Sequence, residues 1–327
     1  MENNKKIDNI HVFFIDEQSV GGTGLFACIS TGAAIKNLGI GENSIIEGGD
    51  GTGSLVGNMK GGIIENCYNE GLVTGIGGSF GTGGLIGVGE YGKITNCYNT
   101  GMVKGVSDVG GIVGYVDKNF TIDNCYNCGM INASGLFVGG LVGLMYAGTI
   151  TNSYNIGMIS DGPLFVNAIV GATDMDPFII KNCYYSKELT NIGEEITNGI
   201  SEKSVEEMKA ASFITLLNGG QNPIAWTADT RNINGGFPIL VWQSSPVTGI
   251  QNASEKTNCN IYVVDKSIVV ECSENVPCQM NVINLNGEII NSQTFLKNNS
   301  LNITDNGIYI VTVNINSQQY TSKVVIK

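Results

Sequence analysis

A short pattern recurs along the first half of the chain and restricts the folds that this protein can adopt. A four-residue motif related to Asn-Cys-Tyr-Asn occurs five times, and its second residues lie 30, 28, 28 and 30 positions apart. An apolar pair followed by glycine precedes every copy. Regular repeats of roughly 20–50 residues are typical of solenoids, propellers and related arrays. The copies occupy residues 66–69, 96–99, 124–127, 152–155 and 182–185.

Each repeat contains short apolar runs, separated by glycine and asparagine, that are too short for helices. The chain has 46 glycines in 327 residues, well above the usual share of ~7 %, which favours turns. Short recurring strands bury their apolar side chains best when successive repeats stack as coils. With a degenerate first copy at residues 25–39, the sequence predicts an all-β fold in which residues 1–188 form a parallel β-solenoid of about six coils.

Equivalent residues of stacked coils lie one above another at the strand spacing of ~4.8 Å. The first asparagine of each motif is therefore predicted to form a ladder of side-chain amides at a bend, each bonded to its neighbours. The next position is predicted to point into the solenoid, because Ser153 is a small replacement for cysteine there. The predicted ladder residues are Asn66, Asn96, Asn124, Asn152 and Asn182, with Cys67, Cys97, Cys125 and Cys183 beside them.

The tyrosine of each motif is predicted to lie in an outward stripe on a flat side of the solenoid. Two interpretations stay open: stacked exposed rings make a binding surface, and a tyrosine ladder also serves a purely structural role. A binding stripe would take a host glycan or a host protein as its partner, and the sequence does not identify which. The stripe residues are Tyr68, Tyr98, Tyr126 and Tyr154.

The Gly-Gly-Leu-Val-Gly element followed by Ile-Thr-Asn-Cys-Tyr resembles the GLUG-motif repeats of bacterial surface proteins. The resemblance extends over residues 21–185, more than half of the chain. It implies a right-handed β-helix of the kind found as stalks in adhesins and as non-catalytic parts of large secreted proteins, including immunoglobulin A peptidases. Such peptidases need a His-Glu-x-x-His helix, whereas the one histidine here, His11, is followed by Val-Phe-Phe. A non-catalytic segment of a larger secreted peptidase is one alternative function.

Residue types that carry out most enzyme chemistry are scarce in this chain. Parallel β-helices also include polysaccharide lyases, so a carbohydrate-active enzyme is a second alternative, but the solenoid has no arginine and its acids fall at different repeat positions. Residues 87–93 resemble a phosphate loop without the helix that such a loop needs, and Cys125 and Cys128 make only half of a zinc motif. The sequence predicts a non-enzymatic protein with no catalytic, cofactor-binding or metal-binding residues.

The repeat ends after Tyr185, and residues 189–243 follow a different pattern. Ser204 to Glu207 is a capping box that begins an amphipathic helix, and the two tryptophans of the chain follow at Trp226 and Trp242. Because the last coil of a solenoid exposes strand edges and an open core, this segment is predicted to cap the solenoid. The alternative is a ligand platform built on the two tryptophans.

Residues 258–327, after a linker at 244–257, have alternating strands and Asn-Gly turns, a pattern typical of a small antiparallel β-sandwich. Residues 282–288, 306–311 and 323–327 resemble the C-terminal sorting domain of type IX secretion cargo. The resemblance implies that residues 258–327 bind the type IX secretion machinery, and that the protein is delivered to the cell surface or secreted. The resulting prediction is a non-enzymatic exported surface protein, adhesin-like or a stalk.

The net charge of −12 argues against nucleic acid as a partner, because its binding relies on basic patches. The longest apolar stretch, residues 135–148, has 14 residues, fewer than the ~20 of a membrane-spanning helix. No signal-peptide pattern opens the chain, and residues 7–12 resemble the tail of another coil. We therefore expect the natural polypeptide to extend further upstream.

Export implies an oxidising compartment, in which cysteines tend to pair. Stacked solenoid cysteines are close enough to bond, yet they run side by side and are poorly oriented for the ~90° torsion about the S–S bond, so they are predicted to stay reduced. Cys272 and Cys278 flank a short loop between two predicted antiparallel strands. They are expected to face each other, with a disulfide between them as one outcome and Cys259 as the local competitor.

Overall fold

The computed structural model divides the chain into two compact units, Met1–Gly249 and Ile250–Lys327. Of the predicted linker at 244–257 only Ser244 lies within the described residues, and positions 285–287 and 327 of the sorting-domain resemblance also lie outside them. The structure describes residues 5–14, 22–76, 80–160, 164–174, 177–192, 198–244, 259–264, 266–272, 276–284, 288–315 and 318–326.

The first unit is a parallel β-solenoid of about six turns over the described residues. Each strand pairs with the equivalent strand of the next coil, and the pairs build long sheets along the axis, here named sheets A to D. Sheet A contains Lys5–Ile7, Ala34–Lys36, Leu38–Ile40, Ile63–Glu65, Tyr68–Asn69, Lys93–Thr95, Tyr98–Asn99, Phe120–Asp123, Tyr126–Asn127, Gly148–Asn155, Phe178–Tyr185 and Ile200–Glu202.

The other solenoid sheets are shorter. Sheet B contains His11–Phe14, Ile45–Gly48, Leu72–Gly75, Val103–Gly105 and Ile131–Ala133. Sheet C contains Thr52–Gly53, Phe80–Gly83, Ser107–Gly110, Leu136–Gly139 and Leu164–Asn167. Sheet D contains Phe26–Ser30, Val56–Lys60, Ile86–Glu90, Val113–Val116, Val142–Met145 and Val170–Thr173.

Equivalent apolar residues of neighbouring coils pair with one another in the interior. Ile94 pairs with Ile122, and Ile122 pairs with Ile150. All of them are buried in one continuous core with the inward cysteines. The glycine after each apolar pair allows sheets C and D to touch, since a Cβ on Gly87 would lie 2.2 Å from the carbonyl carbon of Gly51. The repeat therefore encodes both the side chains of the core and the close approach of its walls.

Residues 186–192 and 198–202 lie at the C-terminal end of the solenoid interior. A helix at Lys187–Thr190 leads into Ile192, which packs against the core, and the strand Ile200–Glu202 pairs with Phe178–Tyr185. Ile200 and Tyr185 are buried in the same core. The described side chains that pack against the core at this end therefore come from the start of the predicted cap and not from the whole of it.

Residues 204–244, named here the flank strap, lie along the side of sheet A. The capping box forms as predicted, with the Glu207 amide donating to Ser204 Oγ at 3.1 Å and the Ser204 amide donating to Glu207 Oε2 at 2.8 Å. The helix is interrupted at Ala210, which has an extended conformation. The strap elements are the helices Val205–Lys209, Ala211–Asn218 and Val241–Ser244 and the antiparallel strands Trp226–Thr227 and Ile239–Leu240.

The second unit is built from antiparallel sheets around a core of its own. Tyr309 packs beside Gly307 and donates its hydroxyl to the Asp305 carbonyl oxygen at 3.0 Å, which fixes the start of a long strand. One sheet contains Cys259–Val264, Ser267–Cys272 and Asn298–Asn302. The other contains Pro277–Ile283, Ile289–Leu296, Gly307–Ile315 and Gln318–Ile326.

The expectation that Cys272 and Cys278 lie on two strands of one antiparallel pair is wrong. Ser267–Cys272 and Pro277–Ile283 belong to different sheets and are not paired with each other. The register partner of Cys272 is Cys259, and Cys278 lies opposite Phe295 and Ile315. Both side chains are buried in the core of the unit.

Candidate functional site

The motif tyrosines stack in one row on the outside of sheet A. Neighbouring ring centroids of Tyr68, Tyr98, Tyr126 and Tyr154 lie 5.0, 5.0 and 5.1 Å apart, with interplanar angles of 5°, 12° and 9°. The spacing follows from the strand pairing, because these tyrosines are register partners. Stacked aromatic pairs contribute about 0.5–1.5 kcal/mol each beyond the area that they bury.

The flank strap covers this row. Trp242 lies over Tyr68 and Tyr98, with ring centroids at 6.3 and 5.8 Å. At the other end of the row, Phe213 packs edge-on against Tyr154 at 6.1 Å. Tyr154 is 0 % exposed. Tyr68, Tyr126 and Tyr154 are buried and Tyr98 is partly buried beneath the strap, so the expectation of an outward binding stripe is corrected to that of a covered interface.

Trp226 is fully buried and takes the same structural role. Its ring lies 5.9 Å from that of Tyr126 and 5.4 Å from that of Tyr154. Its Nε1 donates to Asn124 Oδ1 and to the Asn152 carbonyl oxygen, both at 3.1 Å. A ring that is enclosed and hydrogen-bonded in this way is part of the strap's anchor, and the alternative of a ligand platform built on it is corrected accordingly.

The tyrosine hydroxyls under the strap are held in neutral hydrogen bonds. Gln243 Nε2 donates to the Tyr126 hydroxyl at 2.8 Å, and the Tyr154 hydroxyl donates to the Pro238 carbonyl oxygen at 2.6 Å. Burial raises the pKa of both Tyr126 and Tyr154 well above the ordinary value. These phenols therefore stay protonated and serve as hydrogen-bonding groups of the interface.

The first asparagine of each motif does not form the continuous ladder that the sequence predicts. All five have a left-handed backbone with φ between 51° and 54°, a conformation that asparagine tolerates better than most residues. The side-chain amide of Asn66 donates a hydrogen bond to Asn37 Oδ1 at 3.2 Å, and that of Asn182 donates to Asn152 Oδ1 at 3.0 Å. Asn124 bonds to Gln221 of the strap instead. The first asparagine sets the bend and anchors the strap.

The last asparagine of the motif forms the ladder. Nδ2 of Asn69 donates to Asn99 Oδ1 at 2.8 Å, Asn99 to Asn127 at 2.8 Å, and Asn127 to Asn155 at 2.9 Å. Each of these side chains is 0 % exposed. The prediction of an amide ladder was right in kind and placed three residues too early in the motif.

The inward cysteine position is a hydrogen-bonding slot as well as a packing site. The thiol of Cys97 donates to the Thr95 carbonyl oxygen at 3.1 Å, and its sulfur accepts the Cys67 amide at 3.3 Å. Ser153 repeats the pattern with a hydroxyl, donating to Thr151 at 2.7 Å and accepting the Cys125 amide at 3.0 Å. The slot needs a small donor and acceptor, which explains why serine replaces cysteine in one coil.

A second row of left-handed residues runs along sheet C, and the sequence analysis missed it. Glycine occupies the row in the first coils at positions 22, 51 and 81. The register then places Asp108, Phe137 and Phe165 at the equivalent positions, with φ of 54°, 58° and 57°. Left-handed backbone is uncommon for bulky residues. Burial of the ring does not account for it at Phe165, because that side chain is 61 % exposed. The signal in the sequence is the loss of glycine at one repeat position.

Asp108 is 7 % exposed, and its carboxylate has no hydrogen bond or ion pair with any of the described residues. Burial raises its pKa to about 6 from an ordinary 3.8. A carboxyl pKa that is raised on folding means that the folded state binds protons more tightly, so the chain loses stability as the pH rises from about 4 to about 6. Above that window the full cost of the buried charge is present.

Asp108→Asn is therefore expected to stabilise the first unit by about 1–2 kcal/mol at pH 7, after an allowance for partial solvation. The gain should shrink toward zero at pH 4, where the aspartic acid is neutral as well. Guanidinium unfolding followed by tryptophan fluorescence measures this, because both tryptophans lie in the first unit. Glu42→Gln, at an exposed position, is the control and should change the free energy of unfolding at pH 7 by less than about 0.5 kcal/mol. A loss of stability in Asp108→Asn at pH 7 would contradict the assignment.

No group of three or more His, Cys, Asp or Glu side chains with metal-binding geometry occurs in the described part of the chain. Across residues 87–93, the strand Ile86–Glu90 leads into the strand Lys93–Thr95, not into a helix. Cys128 bonds to Asn234 of the strap at 3.0 Å. Within the residues described, no helix has the length and apolar character needed to cross a membrane.

A parallel β-solenoid joined to an antiparallel β-unit defines the architecture, and comparison with protein families identifies two of its parts. Residues 78–104 match the GLUG motif. Residues 250–327 match the secretion system C-terminal sorting domain. No curated protein and no solved structure matched the chain. The chain thus carries a GLUG β-solenoid and a type IX sorting domain, which makes it a secreted or cell-surface protein that interacts with the type IX secretion machinery.

Proposed function

We propose that this protein is a non-enzymatic, adhesin-like surface protein, in which the solenoid displays a binding surface and the sorting domain brings it to the cell exterior. The observation that carries the proposal is the joining of a sorting domain to a solenoid whose recurrent polar side chains form hydrogen bonds within the fold. The asparagine ladder and the cysteine slot bond within the solenoid, and the tyrosine row bonds to the strap. The side chains that remain for contact with a ligand are those at the variable outward positions, which differ from coil to coil.

The alternative with a different chemistry is a carbohydrate-active β-helix enzyme. A lyase removes a proton beside a sugar carboxylate and leaves an unsaturated product, which needs a positioned base. The lysines of the solenoid, such as Lys36 and Lys118, lie at the surface in ion pairs with Glu65 and Asp117. Lysines in such surface ion pairs balance charge in contact with solvent, which favours a structural role over that of a catalytic base.

Binding of the purified full chain to an array of glycans and host proteins tests the proposal. We expect retention of a defined class of partner, and no rise in ultraviolet absorbance from unsaturated sugars when the chain is incubated with acidic polysaccharides. Turnover of such a polysaccharide would replace the adhesin proposal with the lyase alternative. Failure to retain any glycan or protein would leave a stalk without a binding role and would contradict the adhesin proposal.

A further inference from the structure

Acidic and aromatic side chains of sheets C and D, and of the residues that directly follow sheet D, lie around Tyr115. Pairing of Gly89 with Val116 places Glu90 next to Asp117 on adjacent coils, and the Tyr146 ring lies 5.6 Å from the Tyr115 ring at 81°. Burial first, then the charge of Asp117, and further Asp108 and Glu90 raise the pKa of Tyr115 to about 12. Glu90 belongs to the preceding coil, and Asp117 follows Tyr115 in the same coil. The acidic–aromatic face, as named here, consists of Glu90, Asp108, Tyr115, Asp117 and Tyr146.

Asp108 differs from other carboxylates of the solenoid. Glu65 pairs with Lys36 at 2.8 Å, and Asp8 accepts hydrogen bonds from the backbone and side chain of Asn43, both at 3.0 Å. Asp108 is more buried than either of these and forms no such bond with the described residues. Burying a charge without a partner is costly. A ligand that supplies a positive charge or a hydrogen-bond donor would recover that cost.

Charge complementarity favours a cation over a neutral or anionic ligand. The whole chain has a net charge of −12, which attracts basic partners over long range. Lys118 pairs with Asp117 at 3.2 Å, and Lys60 is the register partner of Glu90. Against these two cations the face presents three carboxylates, together with ring surfaces that attract ammonium and guanidinium groups.

We propose that the acidic–aromatic face binds a lysine- or arginine-bearing segment of a partner protein, with the cation against the Tyr115 ring and the neighbouring carboxylates as its counter-charges. The inference rests on the proposed function, because it names the partner class of the surface that the exported solenoid displays. Tyr115 and Tyr146 are partly exposed, so a side chain reaches the rings from solvent.

Fluorescence polarisation of a labelled peptide of alternating arginine and glycine, titrated with the full chain at physiological ionic strength, tests the inference. Tyr115→Leu leaves the net charge unchanged and should weaken binding about five-fold through loss of the cation–ring contact. The pair Asp108→Asn with Glu90→Gln should weaken it about ten-fold or more. The matched control is Glu188→Gln with Glu206→Gln, which changes the net charge equally at exposed positions and should weaken binding less than about two-fold.

Equal weakening by the face pair and the control pair, which indicates general attraction, would overturn the inference, and so would unchanged binding by Tyr115→Leu. Tryptophan-monitored unfolding of each variant separates lost binding from lost folding, since both tryptophans lie in this unit. Array binding of a neutral glycan that ignores all face substitutions would refute this inference and leave the proposed function standing. No binding of peptide, protein or glycan by the native chain would refute both.

Discussion

Deletion of residues 320–327 is expected to abolish delivery of the protein to the cell surface. The strand Gln318–Ile326 pairs with Gly307–Ile315 along its whole length and forms one edge of its sheet. The deletion removes most of that strand and takes the buried side chains of Val324 and Ile326 out of the core. A unit that loses an edge strand and two core residues loses both its fold and its terminal sorting motif.

The measurement is made on the full chain behind a cleavable signal peptide in a host with type IX secretion. Surface protein is scored by antibody labelling of intact cells, and the periplasmic fraction is scored in parallel. We expect surface signal to fall at least about ten-fold and the protein to accumulate in the periplasm. Leu296→Ala, at a 60 % exposed position of the same sheet, is the control and should be exported normally. Unchanged surface labelling of the deletion variant would refute the sorting role of this unit.

Because degradation of the deletion variant would also lower the surface signal, a milder variant is needed. Tyr309→Phe removes only the hydroxyl that donates to Asp305, and the loss of one such bond costs about 1 kcal/mol. It should therefore reduce surface delivery partially while the periplasmic protein stays intact. Full delivery of this variant would contradict that expectation, and the loss on deletion would then be assigned to the edge strand itself and not to the stability of the unit.

The solenoid was predictable because the repeat gives both the period and the pairing. Once the motif copies are aligned, strand register follows, and Tyr68 pairs with Tyr98 in the structure as the alignment requires. Spacing alone does not tell which side of the wall a residue faces. Both asparagines of the motif recur with the same period, so the ladder was assigned to Asn66 and its equivalents, whereas Asn69 and its equivalents form it.

The position of the strap was beyond the reach of sequence patterns for a different reason. An amphipathic helix and two tryptophans show that the segment covers apolar surface, and both an open end and a tyrosine row offer such surface. At the end of the solenoid, Ile192 and Ile200 pack against the core. Along the row of rings, Trp226 donates to Asn124 Oδ1 and Trp242 donates to the Asn96 carbonyl oxygen, so both indole N–H groups find acceptors beside the apolar surface that the strap covers. The sequence does not distinguish a strap over the open end from a strap over the tyrosine row, and only the tertiary packing shows which of the two forms.

Asn127→Ala is expected to destabilise the first unit by about 4 kcal/mol, because each buried donor or acceptor left without a partner costs about 1–3 kcal/mol. The Asn127 side chain donates to Asn155 and to the Gly129 carbonyl oxygen, both at 2.9 Å. It accepts from Asn99 at 2.8 Å and from the Gly129 amide at 3.1 Å. Alanine removes all four bonds in the middle of the ladder and leaves a small cavity.

Guanidinium unfolding followed by the fluorescence of Trp226 and Trp242 reports on this unit alone. Asn132→Ala, at an exposed position of the neighbouring strand, is the control and should change the free energy of unfolding by less than about 0.5 kcal/mol. Asn66→Gly keeps a residue that adopts the left-handed conformation at the bend and removes one side-chain hydrogen bond, of 3.2 Å. It should therefore lower the free energy of unfolding by about 1 kcal/mol. If Asn66→Gly proved as damaging as Asn127→Ala, the ladder would have to be reassigned to the first asparagine, and the bend, not the buried amide row, would hold the coils in register.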